Sequence, residues 1–223
     1  VKHLIYGIVV GMILAVFVDR IILSSIILWL LNIFGAFAVA ILIAAAESAF
    51  VLFLLSRSRT ASLRASPPFG WALGLGIGSM QACVLIFRLF DQELAYSDYS
   101  GVNVISLTLA IVIALCSSLG HALLACWQGA ELLENNRLRP YVISTVYRGA
   151  LTTLLVLSLF TPFTLIAVLP GLALAWNKAQ SHWLPSGMTP AAKQAYRRTT
   201  RQSERHKEAS ESRIRGENID SDE

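Results

Sequence analysis

Glu47 lies in the middle of an apolar stretch, residues 36–55, that is long enough to cross a membrane. Carboxylates are rare at that depth because removing their charge from water is costly, so such a residue points to a functional site with a partner. His121, Arg148 and Gln81 lie in three other apolar stretches. A carboxylate and a guanidinium can form a buried ion pair. A carboxylate and an imidazole can instead help to hold a metal ion that activates water.

We predict that Glu47 pairs with Arg148, and that His121 and Gln81 complete an intramembrane polar cluster. Glu47 and His121 are also the candidates for catalytic residues. Simpler interpretations stay open for each residue. Membrane histidines and glutamines often hydrogen-bond a neighbouring helix, Arg148 can reach a headgroup or a water-filled cleft, and Glu47 can be protonated and neutral.

The composition is that of a membrane protein with a polar tail. Of the 223 residues, 55% are hydrophobic and only 14% are charged, whereas soluble domains carry about 25% charged residues. Residues 1–178 hold ten Lys/Arg and seven Asp/Glu, and the last 45 residues hold eight and seven. We therefore expect a transmembrane domain over 1–178 and a cytosolic tail over 179–223.

The apolar stretches predict an all-α bundle of six or seven transmembrane helices, because a spanning helix needs about 20 apolar residues. The first two stretches are short and are separated by Asp19-Arg20. They can form two short helices, one spanning and one interfacial helix, or a re-entrant pair. The glycine-rich fourth stretch predicts close helix packing. The stretches comprise residues 4–18, 21–34, 36–55, 69–90, 104–133, 141–160 and 162–176.

The charges of the connecting loops predict the orientation, since cytoplasmic loops collect Lys and Arg. Residues 56–68 and 134–140 are basic, residues 91–103 are acidic, and the tail begins with Lys178. This pattern indicates a multi-pass protein of the plasma membrane with a cytoplasmic C-terminus. Seven spans would leave the N-terminus outside, against the mild preference of Lys2 and His3.

The tail is basic and then acidic, and we expect it to be largely disordered. Its basic part would be attracted to anionic lipid headgroups. Nucleic acid is not expected as a partner, since Tyr196 is the lone Phe, Tyr or Trp within the basic stretch 193–207. The basic residues proposed to meet the membrane surface are Lys193, Arg197, Arg198, Arg201 and Arg205.

Four segments follow one another along the chain: Ala46-Glu47, residues 74–82, Gly120-His121 and residues 148–152. In helix order, loop placement and glycine spacing they resemble the YhfC-type and PrsW-type intramembrane metalloproteases, relatives of the CAAX prenyl proteases. The resemblance covers about residues 36–155. It implies a zinc ion that is held by two side chains one helical turn apart and by a third side chain from another helix. A nearby glutamate would act as general base.

Most of the ligand positions that this resemblance implies carry other residues here. Ile77 and Gln81 stand where a histidine and a glutamate would lie, and Arg148 and Thr152 replace the later pair. A fixed arginine repels a metal cation. Only Glu47 and His121 match, so the resemblance implies a protein that has lost catalysis and needs no cofactor.

Several functions remain open. The first is a non-catalytic relative of these proteases that binds a membrane partner, either a peptide segment or a lipid. The second is an active zinc protease with rearranged ligands. The third is a small transporter or an accessory subunit of a membrane complex. Stoichiometric zinc would favour the second, a water-accessible polar route would favour the transporter, and fixed co-purifying proteins would favour the subunit.

Overall fold

The computed structural model describes residues 1–27, 32–57, 65–91, 97, 99–188 and 190–215. Throughout these ranges the regular secondary structure is helical, which confirms the all-α class. The chain divides into two compact units, Val1–Gly187 and Met188–Glu223. The principal helices are α1 (Lys2–Phe17), α2 (Ile33–Leu55), α3 (Ser66–Phe90), α4 (Val104–Leu133), α5 (Leu138–Leu157), α6 (Thr164–Lys178) and α7 (Pro190–Ile214).

Five helices in the described ranges are long and apolar enough to cross a membrane, as an integral membrane protein requires. The sequence predicted six or seven, and the difference arises at both ends of the domain. The first apolar stretch and residues 21–27 of the second join in one helix, Lys2–Ile27, and residues 33–34 of the second begin α2. The last stretch forms α6, which has only 15 residues before a π-helical turn, Ala179–Trp183. Residues 28–31 of the second stretch lie outside the described residues.

The join within the first long helix is a π-helical turn, Val18–Leu23. Asp19 and Arg20 were expected in a break between helices, but no glycine or proline interrupts the helix there. The Asp19 carboxylate is buried and accepts hydrogen bonds from Nε and Nη2 of Arg88, at 2.6 and 2.9 Å. Arg88 of α3 therefore pairs with the π-helical turn of the first long helix.

Helix α3 packs most extensively on α4, and glycines allow their backbones to approach. A Cβ atom added at Gly74 or Gly78 would collide with the backbone at His121 or Ser117. On another face of α3, a Cβ atom added at Gly11 of α1 would come within 2.6 Å of the Ile77 Cα atom. The predicted close packing of the glycine-rich helix is confirmed, and it fixes the depth at which α4 presents His121.

Side-chain caps define where two helices begin. Asn32 accepts a hydrogen bond from the Gly35 amide at 2.8 Å, which starts α2. Asn103 and Ser106 form a reciprocal capping box at the start of α4, with bonds of 2.8 and 3.0 Å. Such caps satisfy amides that have no partner inside the helix. They set the register in which α2 and α4 carry their polar residues.

Two apolar clusters fill the bundle, and the polar side chains lie between them. The first cluster includes Leu85, Leu89, Ile113 and Leu155. The second comprises Val51, Leu54, Leu55, Leu73, Ile77 and Ala125. Along α2, α3 and α4, positions 47, 81 and 121 fall between the members of the two clusters. The polar residues therefore form a layer across the middle of the helices.

The second unit contains α7, although the sequence suggested disorder over residues 179–223. Residues 191–214 contain neither glycine nor proline and are rich in Ala, Lys, Arg, Gln and Glu, which favour helix. Pro190 occupies the start of the helix, where its fixed geometry is tolerated. Nζ of Lys207 lies 3.9 Å from the Glu211 carboxylate one turn later. These local preferences explain a helix without an apolar face.

Candidate functional site

The polar layer is centred on the Glu47 carboxylate of α2. Its Oε1 atom lies 2.8 Å from Nδ1 of His121 on α4 and 3.1 Å from Nε of Arg148 on α5. The three side chains are almost fully buried, with Glu47 3% exposed and the other two 0%. Nδ1 of His121 and Oε1 of Glu47 thus share one hydrogen bond, in which Nδ1 donates when the carboxylate is ionised. Three helices therefore meet at one carboxylate oxygen, and three predicted cluster residues lie together.

Arg148 reaches α2 because the two helices approach closely beside it. A Cβ atom added at Gly149 would lie 3.1 Å from the Ile41 Cα atom, so only glycine fits without displacement. Nη1 of Arg148 donates to Oγ of Ser48 at 3.1 Å. Nε and Nη2 make no hydrogen bond within the described residues. The guanidinium is thus held by one hydrogen bond and by the charge of Glu47.

A chain of neutral polar groups continues from Ser48 towards the second apolar cluster. Ser144 donates to Ser48 at 3.2 Å, and Nε2 of Gln128 donates to Ser144 at 2.7 Å. All three side chains are buried. The sequence predicted no role for Gln128 or for the two serines. Two features of the sequence could have identified the serines. Ser48 directly follows Glu47, and Ser144 precedes Arg148 by one helical turn.

Gln81 is the predicted cluster residue that contacts a different partner. Its Nε2 atom donates to Oγ1 of Thr152 at 3.2 Å. Thr152 lies one turn after Arg148 on α5, which explains why Gln81 is at a neighbouring level without bonding Glu47. Gln81 joins α3 to α5, as the simpler interpretation of a membrane glutamine suggested.

The described part of the chain has no group of three or more histidine, cysteine, aspartate or glutamate side chains arranged to hold a metal ion. Around Glu47 the acidic and imidazole groups are Glu47 and His121, and the third group is the Arg148 guanidinium. Arginine carries a permanent charge and has no lone pair to offer a metal. The arrangement is therefore an ion pair with a histidine donor.

The basic residues of the tail lie on α7. Arg198, Arg201 and Arg205 are exposed and follow one another at helical spacings of three and four residues, which places them on one face. Lys193 and Arg197 belong to the same helix, but their side chains lie outside the described residues. Arg59 and Arg64 of the basic loop also lie outside them.

Comparison of the chain with protein-family models, with curated proteins and with solved structures finds no match.

Proposed function

We propose that this chain is a non-catalytic integral membrane protein, related to the intramembrane metalloproteases it resembles, that binds a membrane partner. The observation that supports this proposal is the fully buried Arg148 guanidinium beside Glu47. In the resembling families this position would carry a metal ligand. Here a permanent cation stands beside the carboxylate, so the attraction that would hold a metal ion holds α5 against α2.

The hydrogen bonding of Glu47 also disfavours hydrolysis. A general base needs a carboxylate oxygen within reach of a water molecule. Oε1 of Glu47 already faces both His121 and Arg148. A carboxylate that is hydrogen-bonded to a histidine and ion-paired with an arginine is better suited to fixing helix positions than to removing a proton.

A lateral groove supports the binding of a membrane partner. It measures about 470 Å³ and lies between the first long helix and α2, with Leu14 and Phe17 on one side and Val39 and Leu42 on the other. Ala46, the neighbour of Glu47, also lines it. Its apolar lining suits a peptide segment or an acyl chain entering from the bilayer.

The joined first helix also affects the proposed orientation. If the basic loop after α2 is cytoplasmic, α2 ends inside, and a single crossing by Lys2–Ile27 puts Lys2 inside as well. This removes the conflict raised by a seven-span count. With α6 and its extension returning inward, the tail is cytoplasmic, in the plasma membrane, and the arginines of α7 meet anionic headgroups.

Two measurements on the purified protein test this function. Elemental analysis is expected to find no stoichiometric zinc, and no membrane peptide should be cleaved. Stoichiometric zinc that is lost in His121→Ala together with proteolysis would overturn the proposal.

Binding is tested by a photo-crosslinking amino acid at Leu42, which is 70% exposed. The control position is Leu115 of α4, which is 56% exposed and does not line the groove. A discrete adduct at position 42 and none at 115 is expected. Equal labelling at both positions would contradict a partner in the groove.

A further inference from the structure

A second groove lies where α2 ends and where α4 connects to α5. It measures about 420 Å³. Ala49, Leu52 and Leu132 give it an apolar lining within the helices. Ser56 at the C-terminal cap of α2 and Arg137, directly before α5, line it at the helix ends. One end of the groove is thus apolar and the other polar, as at the boundary between acyl chains and headgroups.

Positive charge is concentrated at the polar end. The guanidinium of Arg57 lies over the ring of Phe53, 5.2 Å from its centroid, and Phe53 lines the groove. Arg137 brings a second guanidinium, and both arginines are exposed. The N-terminus of α5 at Leu138 adds the positive end of a helix dipole.

The acid of α4, Glu131, is engaged elsewhere. The two carboxylate oxygens of Glu131 accept hydrogen bonds from Nε1 of Trp127 and Nδ2 of Asn136, both at 3.1 Å. Neither Glu131 nor Glu134, the exposed acid that directly follows α4, lines the groove. The polar end therefore keeps its positive charge for an anion.

We propose that this groove binds an anionic phospholipid, with an acyl chain along Ala49 and Leu52 and the phosphate between Arg57 and Arg137. Phe53 and Leu138, which are 59% and 74% exposed, line the opening. Their apolar surfaces would be covered by acyl chain, whereas a soluble phosphate would cover neither. The site requires the chain to lie in a bilayer, as proposed above, but it is independent of whether Glu47 is catalytic.

Native mass spectrometry of the full-length protein in detergent, titrated with phosphatidylglycerol or phosphatidylcholine, measures this site. The wild type is expected to retain phosphatidylglycerol about 30-fold more strongly, from two arginines near the phosphate. The double variant Arg57→Gln/Arg137→Gln should bind both lipids equally. The control Arg139→Gln, an exposed arginine of α5 that does not line the groove, should keep the wild-type preference.

Ala49→Trp tests the acyl-chain part, because the larger side chain fills the apolar lining without changing the charge. It should reduce the retention of both lipids, and inorganic phosphate should not displace phosphatidylglycerol. Equal retention of the two lipids by the wild type, an equal loss in Arg139→Gln, or unchanged binding in Ala49→Trp would each overturn the site. Stoichiometric zinc in the same preparations would overturn the proposed function and leave this site standing.

Discussion

Two arginine–carboxylate pairs join helices of this bundle, and they differ in geometry and in access to water. Near the end of α3, Arg88 donates from Nε and Nη2 to both oxygens of Asp19 and stays 26% exposed. In the middle of the bundle, Arg148 faces one oxygen of Glu47 and is 0% exposed. The outer pair completes its hydrogen bonds, while the central arginine leaves Nε and Nη2 without a hydrogen bond in the described residues.

This difference indicates separate roles. A partly exposed pair with two good hydrogen bonds can add stability at little desolvation cost. A protein with a fully buried pair whose donors are unsatisfied is often less stable than one with apolar side chains of similar volume. Removing only one partner, however, leaves an unpaired charge in the interior. The central pair is therefore poorly explained by stability alone. The pair fixes the positions of α2, α4 and α5 relative to one another, and a functional site requires such fixed positions.

The largest expected effect is that of Arg148→Met, which leaves the Glu47 carboxylate buried without its cation. We expect a loss of about 3–5 kcal/mol in the free energy of unfolding. Titration with SDS in mixed micelles, followed by circular dichroism, measures it. Arg139→Gln, which replaces the exposed second residue of α5, should change it little.

Ser48→Ala tests how far the central pair depends on its neutral neighbours. It removes the acceptor for Nη1 of Arg148 and the link to Ser144. We expect a loss of about 2 kcal/mol, since a buried charged donor loses its hydrogen bond. Thr108→Ala, whose hydroxyl bonds only its own helix at an exposed position, is the matched control. Equal effects of the two substitutions would remove Ser48 from the site.

Asp19→Asn tests the outer pair. We expect a smaller loss of about 1 kcal/mol, because solvent partly screens and replaces the interaction. Raising the salt concentration should reduce this effect and leave that of Arg148→Met unchanged. A loss as large as that of Arg148→Met, measured in the same micelles, would erase the distinction between the two pairs.

Gln81→Met should have the smallest effect, about 0.6 kcal/mol, the usual value of a hydrogen bond between membrane helices. The bond to Thr152 is lost, but the Glu47–Arg148 contact stays intact. A loss comparable to that of Ser48→Ala in the same unfolding assay would place Gln81 within the central cluster after all.

The sequence predicted the contact between Glu47 and Arg148 from charge alone, because two opposite charges deep in apolar helices have few other ways to be satisfied. It predicted His121 nearby for a similar reason. Ser48 and Ser144 escaped notice, since hydroxyl groups are common in membrane helices and their register across two helices is a tertiary property. The partner of Gln81, Thr152, escaped notice for the same reason.

For the fold, hydropathy predicted the middle helices well, because each is a long apolar stretch. It failed at Asp19, where a charge in the sequence suggested a loop. A charge ends a membrane helix only if no partner reaches it, and the partner, Arg88, lies 69 residues later. The overall polarity of the tail led us to predict disorder. The local helix preference of Ala, Arg and Glu instead produces α7.

The central claim is that Glu47 and Arg148 act as one buried pair. A double-mutant cycle with Glu47→Gln, Arg148→Gln and the combined variant measures their coupling through the free energy of unfolding in micelles. We predict that the double variant is no less stable than either single variant, so that the coupling is at least as large as the bigger single loss, about 3–5 kcal/mol. Losses that simply add would contradict the pairing and the site built on it.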